Sequence, residues 1–387
     1  MKPTRTEDLR QEKTFTILNL FMERGEWTRR ELQDATRISY GTIAIVLGGL
    51  KRAGIIELES LDESNGGRRA GRYRLVARYG LFAQIEVRTE GFAWSVRDIS
   101  GSELAGGEIS DDEERSINVC LETTVTTIME IIERTGGDDE STDRKKLLGI
   151  GVSLPGHYQH KSDLVLVPST PRIGEIRVMA TIRRHFAGPV SVESDVNAAA
   201  LYDLERVIGV RAVNGTILYL TVTSDGVGST LLLDGGIHYG ANGHAGEVHM
   251  LPVRTANGYS TLGEVIDPDV SVLRVGGAIG REPSFHQFRE MISTGHSATE
   301  ALYPDIVEAF TQAVFLLDNV LDPDCIVIAG VYCRYGPRLA RDVARGLAGT
   351  AVAMEKVPVL QSDGSDGLVR AGLWRLQARD WARSVRL

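Results

Sequence analysis

Thr28-Arg29-Arg30-Glu31-Leu32-Gln33-Asp34-Ala35-Thr36-Arg37-Ile38-Ser39-Tyr40-Gly41-Thr42-Ile43 is the stretch whose reading decides how the N-terminal part folds. Thr28 and Glu31 form the Thr-x-x-Glu pattern of a capping box, in which hydroxyl and carboxylate each satisfy a backbone amide at a helix start. Leu32 and Ala35 give that helix its inward side. A tight turn at Thr36-Arg37-Ile38 leads to Ser39, a good N-cap for a further helix running to about Arg52. Ile43, Val46, Leu47 and Leu50 recur at helical spacing as its buried stripe. Gly54 stops it, because glycine accepts the left-handed conformation.

Upstream, Phe15, Leu18 and Phe21 lie at spacings of three on a helix from roughly Glu7 to Arg24, which Gly25 breaks. Downstream, Ile55-Ile56-Glu57-Leu58 and Tyr73-Arg74-Leu75-Val76 read as strands joined by a turn at Asn65-Gly66-Gly67. A helix-turn-helix followed by a hairpin is a winged helix-turn-helix, here residues 1–80. That reading sends the third helix into the major groove and places Thr28, Arg29, Ser39, Tyr40 and Thr42 nearest DNA. Arg68, Arg69 and Arg72 of the wing suit the narrow minor groove, where negative potential concentrates. The plainer alternative is a solvated basic loop on a protein-interaction domain.

Charge is distributed to match. Residues 1–80 hold 15 Lys and Arg against 11 Asp and Glu, whereas the rest hold 28 against 41, giving the net −9 of the chain. A basic head on an acidic body is expected where only the head meets phosphate. A length of 387 residues implies two or three compact units, and 42% hydrophobic with 25% charged residues is a soluble globular balance. The first residues show no apolar signal segment, no run is long enough to span a bilayer, and Cys120, Cys325 and Cys333 have no metal-ligand spacing. A cytoplasmic location with packing cysteines is the expectation.

From about Leu81 strands alternate with helices. Strands are expected at Phe82 to Val87, Phe92 to Val96, Leu147 to Val152, Val190 to Glu193, Thr216 to Val222 and Ser229 to Leu233. Helices are expected from Ser116 to Glu133 and from near Asn197. This is an α/β body of two lobes.

Five segments in order carry a resemblance: Asn65-Gly66-Gly67-Arg68, Gly149-Ile150-Gly151-Val152-Ser153-Leu154-Pro155-Gly156, Val192-Glu193-Ser194-Asp195-Val196-Asn197-Ala198-Ala199-Ala200, Gly243-His244-Ala245-Gly246-Glu247-Val248-His249-Met250 and Asp322-Pro323-Asp324-Cys325-Ile326-Val327-Ile328-Ala329-Gly330. The chain resembles the ROK (repressor, open reading frame, kinase) family, in particular its xylose- and N-acetylglucosamine-type repressors. The resemblance implies a two-lobed sugar-kinase/actin-like (ribonuclease H-like) body over 81–387. Its small lobe would span about 81–192 plus the C-terminal helix, and its large lobe about 193–370.

The family contains kinases and regulators, and the phosphate loops distinguish them. Where its kinases resemble Asp-x-Gly-Gly-Thr, this chain has Glu86, Arg88, Thr89 and Glu90. Where they resemble Gly-Thr-Gly-x-Gly, it has Ser224-Asp225-Gly226-Val227-Gly228. A carboxylate about 4 Å from a phosphate charge is repelled by roughly 4 kcal/mol at an effective dielectric near 20, so ATP binding is not expected. The sugar side fares better. Asp195 matches the family's general base, Ser194 stands where asparagine is usual, and Glu247 and Glu264 match sugar-binding carboxylates. His249 lies one residue short of the family's histidine position. Thr255 to Glu264 keeps the spacing of the family's zinc loop but none of its cysteines, so no structural zinc and no cofactor are expected.

The resulting expectation is a non-catalytic, sugar-responsive DNA-binding repressor of carbohydrate-metabolism genes, a homodimer or homotetramer on double-stranded operator DNA. An active ROK sugar kinase with an appended DNA-binding head is the alternative. A ligand-independent DNA-binding scaffold with a decayed sugar site is a third reading.

Overall fold

The capping box forms as the residues require. Thr28 Oγ1 accepts from the Glu31 amide at 3.2 Å, while Glu31 Oε2 accepts from the Thr28 amide at 2.7 Å. Ser39 Oγ accepts from the Thr42 amide at 3.3 Å and so starts the next helix. The computed structural model describes residues 6–61, 71–110, 114–135, 146–166, 170–208, 215–224, 226–241, 243–348, 359–362 and 368–387.

The head consists of α1 (Thr6–Arg24), β1 (Glu26–Thr28), α2 (Arg29–Thr36), α3 (Tyr40–Arg52), β2 (Ile56–Leu61) and β3 (Gly71–Leu75). Next come β4 (Gly80–Arg88), β5 (Gly91–Asp98), β6 (Glu103–Ser110), α4 (Ile117–Thr135) and β7 (Lys146–Leu154). A short hairpin of β8 (His157–Gln159) and β9 (Leu164–Leu166) precedes α5 (Pro171–Gly174), α6 (Val178–Ile182), β10 (Val190–Ser194) and α7 (Asp195–Ile208). Then follow β11 (Thr216–Thr223), β12 (Gly226–Leu233), β13 (Gly236–Ile237), β14 (Pro252–Thr255) and β15 (Gly258–Thr261). The remainder is mostly helical: α8 (Leu262–Ile266), α9 (Pro268–Ile279), α10 (Phe285–Thr294), α11 (Ser297–Glu300), α12 (Tyr303–Leu321), β16 (Cys325–Gly330), α13 (Arg338–Ala348), β17 (Val359–Gln361) and α14 (Leu368–Ser384).

Two five-stranded sheets share one plan. Their orders are β6-β5-β4-β7-β10 and β13-β12-β11-β16-β17. In each, a first strand sits centrally, pairs antiparallel with the second and parallel with the fourth. Strands buried on both faces read as continuous apolar runs, as β7 and β16 do. This is the α/β, two-lobed actin-like architecture carrying an N-terminal winged helix-turn-helix.

The wing sheet has three strands, in the order β1-β3-β2, whereas the sequence offers only the hairpin. Strand β1 has three residues and exists because Trp27 pairs with Tyr73 across the sheet.

The chain folds as two compact units. One holds Met1–Leu154, Glu175–Glu193 and Leu373–Leu387; the other holds Pro155–Gly174 and Ser194–Gly372. In the first, the core of the head is continuous with that of the strands and the C-terminal helix. Ile17, Phe21, Leu32, Ile43, Leu47 and Leu50 form one apolar cluster with Phe82, Ile99, Leu148, Trp374, Ala378 and Ala382. The C-terminal helix is also tied by polar contacts. Gln377 Oε1 accepts from Gln84 Nε2 at 2.7 Å, and Trp374 Nε1 donates to the Asp98 carbonyl at 3.1 Å. Glu23 Oε1 accepts from Arg375 Nη2 at 2.9 Å, inside the unit. The second unit has its own core, centred on Leu220, Phe288, Phe310, Ile328 and Tyr332.

Candidate functional site

The DNA-facing candidates divide by exposure. Ser39 and Tyr40 are exposed at the start of α3, and Thr42 is half-buried with its Oγ1 2.9 Å from Ser39 Oγ. Thr28 is buried, its hydroxyl engaged as the cap of α2. Arg29 turns inward. Its Nη2 donates to Tyr73 Oη at 2.8 Å, and its guanidinium lies 5.9 Å from the Tyr40 ring centroid and 5.7 Å from that of Tyr73. Arg29 thus supports Tyr40 from below. Arg72 Nη1 lies 3.3 Å from Glu26 Oε1 and 3.8 Å from Glu31 Oε2, which draws it towards the body of the head. Arg68, Arg69 and the turn at Asn65-Gly66-Gly67 lie outside the described residues.

In the second unit, Glu247 is the centre of a histidine cluster. His157 Nε2 contacts its Oε1, and His249 Nδ1 lies 2.8 Å from its Oε2. The His157 ring stacks on His244 with centroids 5.8 Å apart and planes at 29°. Burial pushes the Glu247 carboxyl up, but His157, His249 and His244 outweigh it and hold the group below its ordinary value. Glu247 thus occupies one nitrogen of His157 and one of His249, and each imidazole carries a second nitrogen able to donate or accept a hydrogen bond. His157 and His244 are missing from the residues singled out by sequence. His244 does fall inside the Gly243 to Met250 segment, while His157 is 90 residues from its carboxylate partner.

The other carboxylates sit at helix starts. Asp195 opens α7, where its Oδ1 accepts from the Val196 amide at 2.8 Å and the helix dipole favours its charge. Ser194 is buried and accepts from the Asn197 amide at 3.1 Å, capping the same helix. Glu264 is exposed and forms the α8 capping box with Thr261. The Ser260 hydroxyl, donating at 2.5 Å, and the Thr261 amide, at 2.8 Å, keep it below its ordinary pKa.

At the first candidate phosphate loop the charged side chains pair with one another. Arg88 grips Glu86 with two nitrogens, at 3.0 and 3.1 Å, and reaches Glu108 Oε1 with a third at 2.8 Å. At the second loop, β11 and β12 pair as far as Thr223 and Gly226, so the connection is the two residues Ser224-Asp225, of which Asp225 lies outside the described residues. A side chain at Gly228 would stand 2.6 Å from Val196 of α7, so this position needs glycine for packing. Thr255 to Thr261 folds as the β14–β15 hairpin, closed by Thr255 Oγ1 donating to the Gly258 carbonyl at 3.1 Å. Among the described residues no three His, Cys, Asp or Glu side chains are grouped to hold a metal ion, and no helix is long and apolar enough to cross a membrane.

Residues 98–361 match the ROK family over most of the chain. The chain belongs to the ROK family. A xylose repressor from Staphylococcus xylosus is 19% identical over 323 residues, covering 81% of this chain and 80% of that protein. A crystal structure of a ROK family transcriptional regulator, homologous to the Escherichia coli MLC protein, superposes with a TM-score of 0.74 at 17% identity and covers 97% of this chain and 98% of that one. The ROK hexokinase of Thermus thermophilus covers 77% of this chain and 98% of its own, with a TM-score of 0.58 at 18% identity. ROK regulators and sugar kinases thus share this fold.

Proposed function

We propose that this ROK protein is a sugar-responsive, DNA-binding transcriptional regulator that represses carbohydrate-metabolism genes. The observation that carries the reading is a winged helix-turn-helix whose α3 leaves Ser39 and Tyr40 exposed at its capped N-terminus while its opposite stripe is buried. Its similarity to a xylose repressor over 81% of the chain supports the same reading. Operator contacts come from Ser39, Tyr40 and Thr42, with Arg68 and Arg69 of the wing. Arg29 positions Tyr40, and Thr28 starts α2. Two subunits, paired through their sensor lobes, present their heads to half-sites about 34 Å apart or a multiple of it.

The effector is a sugar or sugar derivative, bound by Asp195, Glu247 and His249 with His157 and His244 as further contacts. Ser194 and Glu264 shape the site through the helices that they cap. Effector and operator affinities are then reciprocally coupled, typically by about 1–3 kcal/mol. The protein works in the cytoplasm and transfers no phosphate, because Arg88, Glu86 and Glu90 replace the glycine-rich approach to a nucleotide.

Fluorescence anisotropy on DNA from the protein's own upstream region, titrated with and without a panel of sugars, tests this. Saturable binding that one sugar shifts is the expected result; binding indifferent to every sugar would leave a DNA-binding scaffold. The retained Asp195 at the start of α7 favours a second reading, an active ROK sugar kinase with a DNA-binding head. ADP release from ATP with mixed hexoses would establish that reading instead.

A further inference from the structure

The surface of α3 opposite its buried stripe carries a specific chemistry. Residues 41, 44, 45 and 48 follow one another at spacings of three and four and share a face. They are Gly41, Ala44, Ile45 and Gly48, so this face contains no hydrogen-bonding side chain between Tyr40 and Lys51. Ile45 is 59% exposed, more than any other large hydrophobic residue among the described residues of the head, and Tyr40 is 50% exposed. A side chain built at Gly41 would meet nothing within 4 Å, so the backbone there is open to close approach. At Gly48 the nearest atom would be Arg52 Nη1 at 3.5 Å, which places the guanidinium of Arg52 over the same face.

An isolated exposed isoleucine is ordinary, but this one lies on a helix that carries cations at its C-terminal end and belongs to a head with further exposed cations. Arg30 on α2, Arg37 in the turn, and Lys51 and Arg52 at the end of α3 are all exposed. An apolar strip on a helix that ends in Lys51 and Arg52 fits the floor of the DNA major groove, where phosphates flank base edges and thymine alone presents a methyl group. Guanine and adenine are read by Arg, Lys, Asn or Gln, which this face does not place at its centre.

We propose that α3 recognises its half-site through thymine methyl groups, with Ile45 making the contact and Gly41 and Gly48 allowing the helix to lie deep in the groove. The proposal rests on the DNA-binding reading above and adds the determinant of sequence choice. Recognition is then apolar at the centre of the helix, and Arg30, Arg37, Lys51 and Arg52 contribute salt-sensitive phosphate contacts that carry little sequence information.

The experiment uses the full-length protein and duplexes selected from a random pool. Each thymine of the selected half-site is replaced by deoxyuridine, which removes only the methyl group. Affinity is expected to fall about fourfold at one or two positions in each half-site, the transfer value of one buried methyl. Ile45→Ala should bind the parent duplex about tenfold more weakly and show no further loss with deoxyuridine at those positions, as a double-mutant cycle requires for a direct contact. Because Ile45 is exposed, its truncation leaves the core intact, and an unchanged thermal melt verifies this. Uniform tolerance of deoxyuridine by the parent protein, or undiminished sensitivity in Ile45→Ala, overturns this proposal alone. Failure to select any duplex overturns the DNA-binding reading and this proposal with it.

Discussion

Arg375 of the C-terminal helix and Glu23 of the first helix of the head form an ion pair with 2.9 Å between Nη2 and Oε1, their side chains 3% and 16% exposed. Glu23 also accepts from Asn19 Nδ2 at 2.8 Å, so the carboxylate is held from two sides. The pair joins the chain's two ends inside one core. Removing one member of a buried pair leaves the other charge without compensation. Arg375→Met is therefore expected to cost about 3 kcal/mol in urea unfolding, and the double variant Glu23→Leu/Arg375→Met to cost less than Arg375→Met alone. Equal costs for the single and double variants would show the pair to be incidental.

Ser39 caps α3 and stands at the surface expected to meet DNA. Ser39→Ala should lower stability by about 1 kcal/mol, whereas Ser39→Gly should cost only a few tenths. If the hydroxyl also contacts the operator, both variants lose affinity equally despite their different melting temperatures. Anisotropy and thermal melts on the same two variants separate cap from contact.

The histidine cluster gives the second unit a pH dependence of definite sign. Glu247 is held below its ordinary pKa in the folded protein, against burial, by His157, His249 and His244. A depressed carboxyl contributes stability that is fully present above its unfolded pKa, near 4.3, and is lost as pH falls through the folded value. Thermal melts from pH 7 to pH 3 should show a larger acid loss for the parent than for Glu247→Gln. Parallel curves would mean that the cluster does not act in folding.

Arg88 is two-fifths exposed, so its ion pairs with Glu86 and Glu108 are screened by water. Arg88→Ala should cost under about 1 kcal/mol. Neither the parent nor the variant should gain melting temperature with magnesium ATP, since a ligand bound only by the folded state would raise it. A clear rise in the parent would point back to the kinase reading.

Asp195→Asn should weaken the response to sugar and leave operator affinity without sugar unchanged. Anisotropy with the responsive sugar measures both. An unchanged response would place the effector elsewhere.

The head is the most legible part of the sequence because its signals are local. Thr28, Glu31 and Ser39 act within three residues of themselves, and each cap forms as its spacing demands. Strand β1 is not legible in the same way, since Glu26–Thr28 becomes a strand only through β3, some 45 residues later. The candidate effector site shows the same division. Thr261 and Glu264 repeat the Thr-x-x-Glu spacing of the head, and Glu264 duly caps α8, a role that its family position alone conceals. His157 meets Glu247 only through tertiary folding, and no periodicity marks that partnership. The outward side of α3 lies between these cases, since its buried stripe predicts which residues point outward but not what surrounds them.

The common core of head and C-terminal helix has a practical corollary for chimeric regulators. A graft that cuts this head away at residue 80 would strip Phe21, Ile43 and Leu50 of the apolar cluster that they share with Trp374, Ala378 and Ala382, and would separate Glu23 from Arg375. The transplantable piece is discontinuous: the winged helix-turn-helix must travel with the last helix and the strands beneath it. If α3 sets operator preference as proposed, exchanging that preference between relatives is better done by swapping its outward residues, which leave that core untouched.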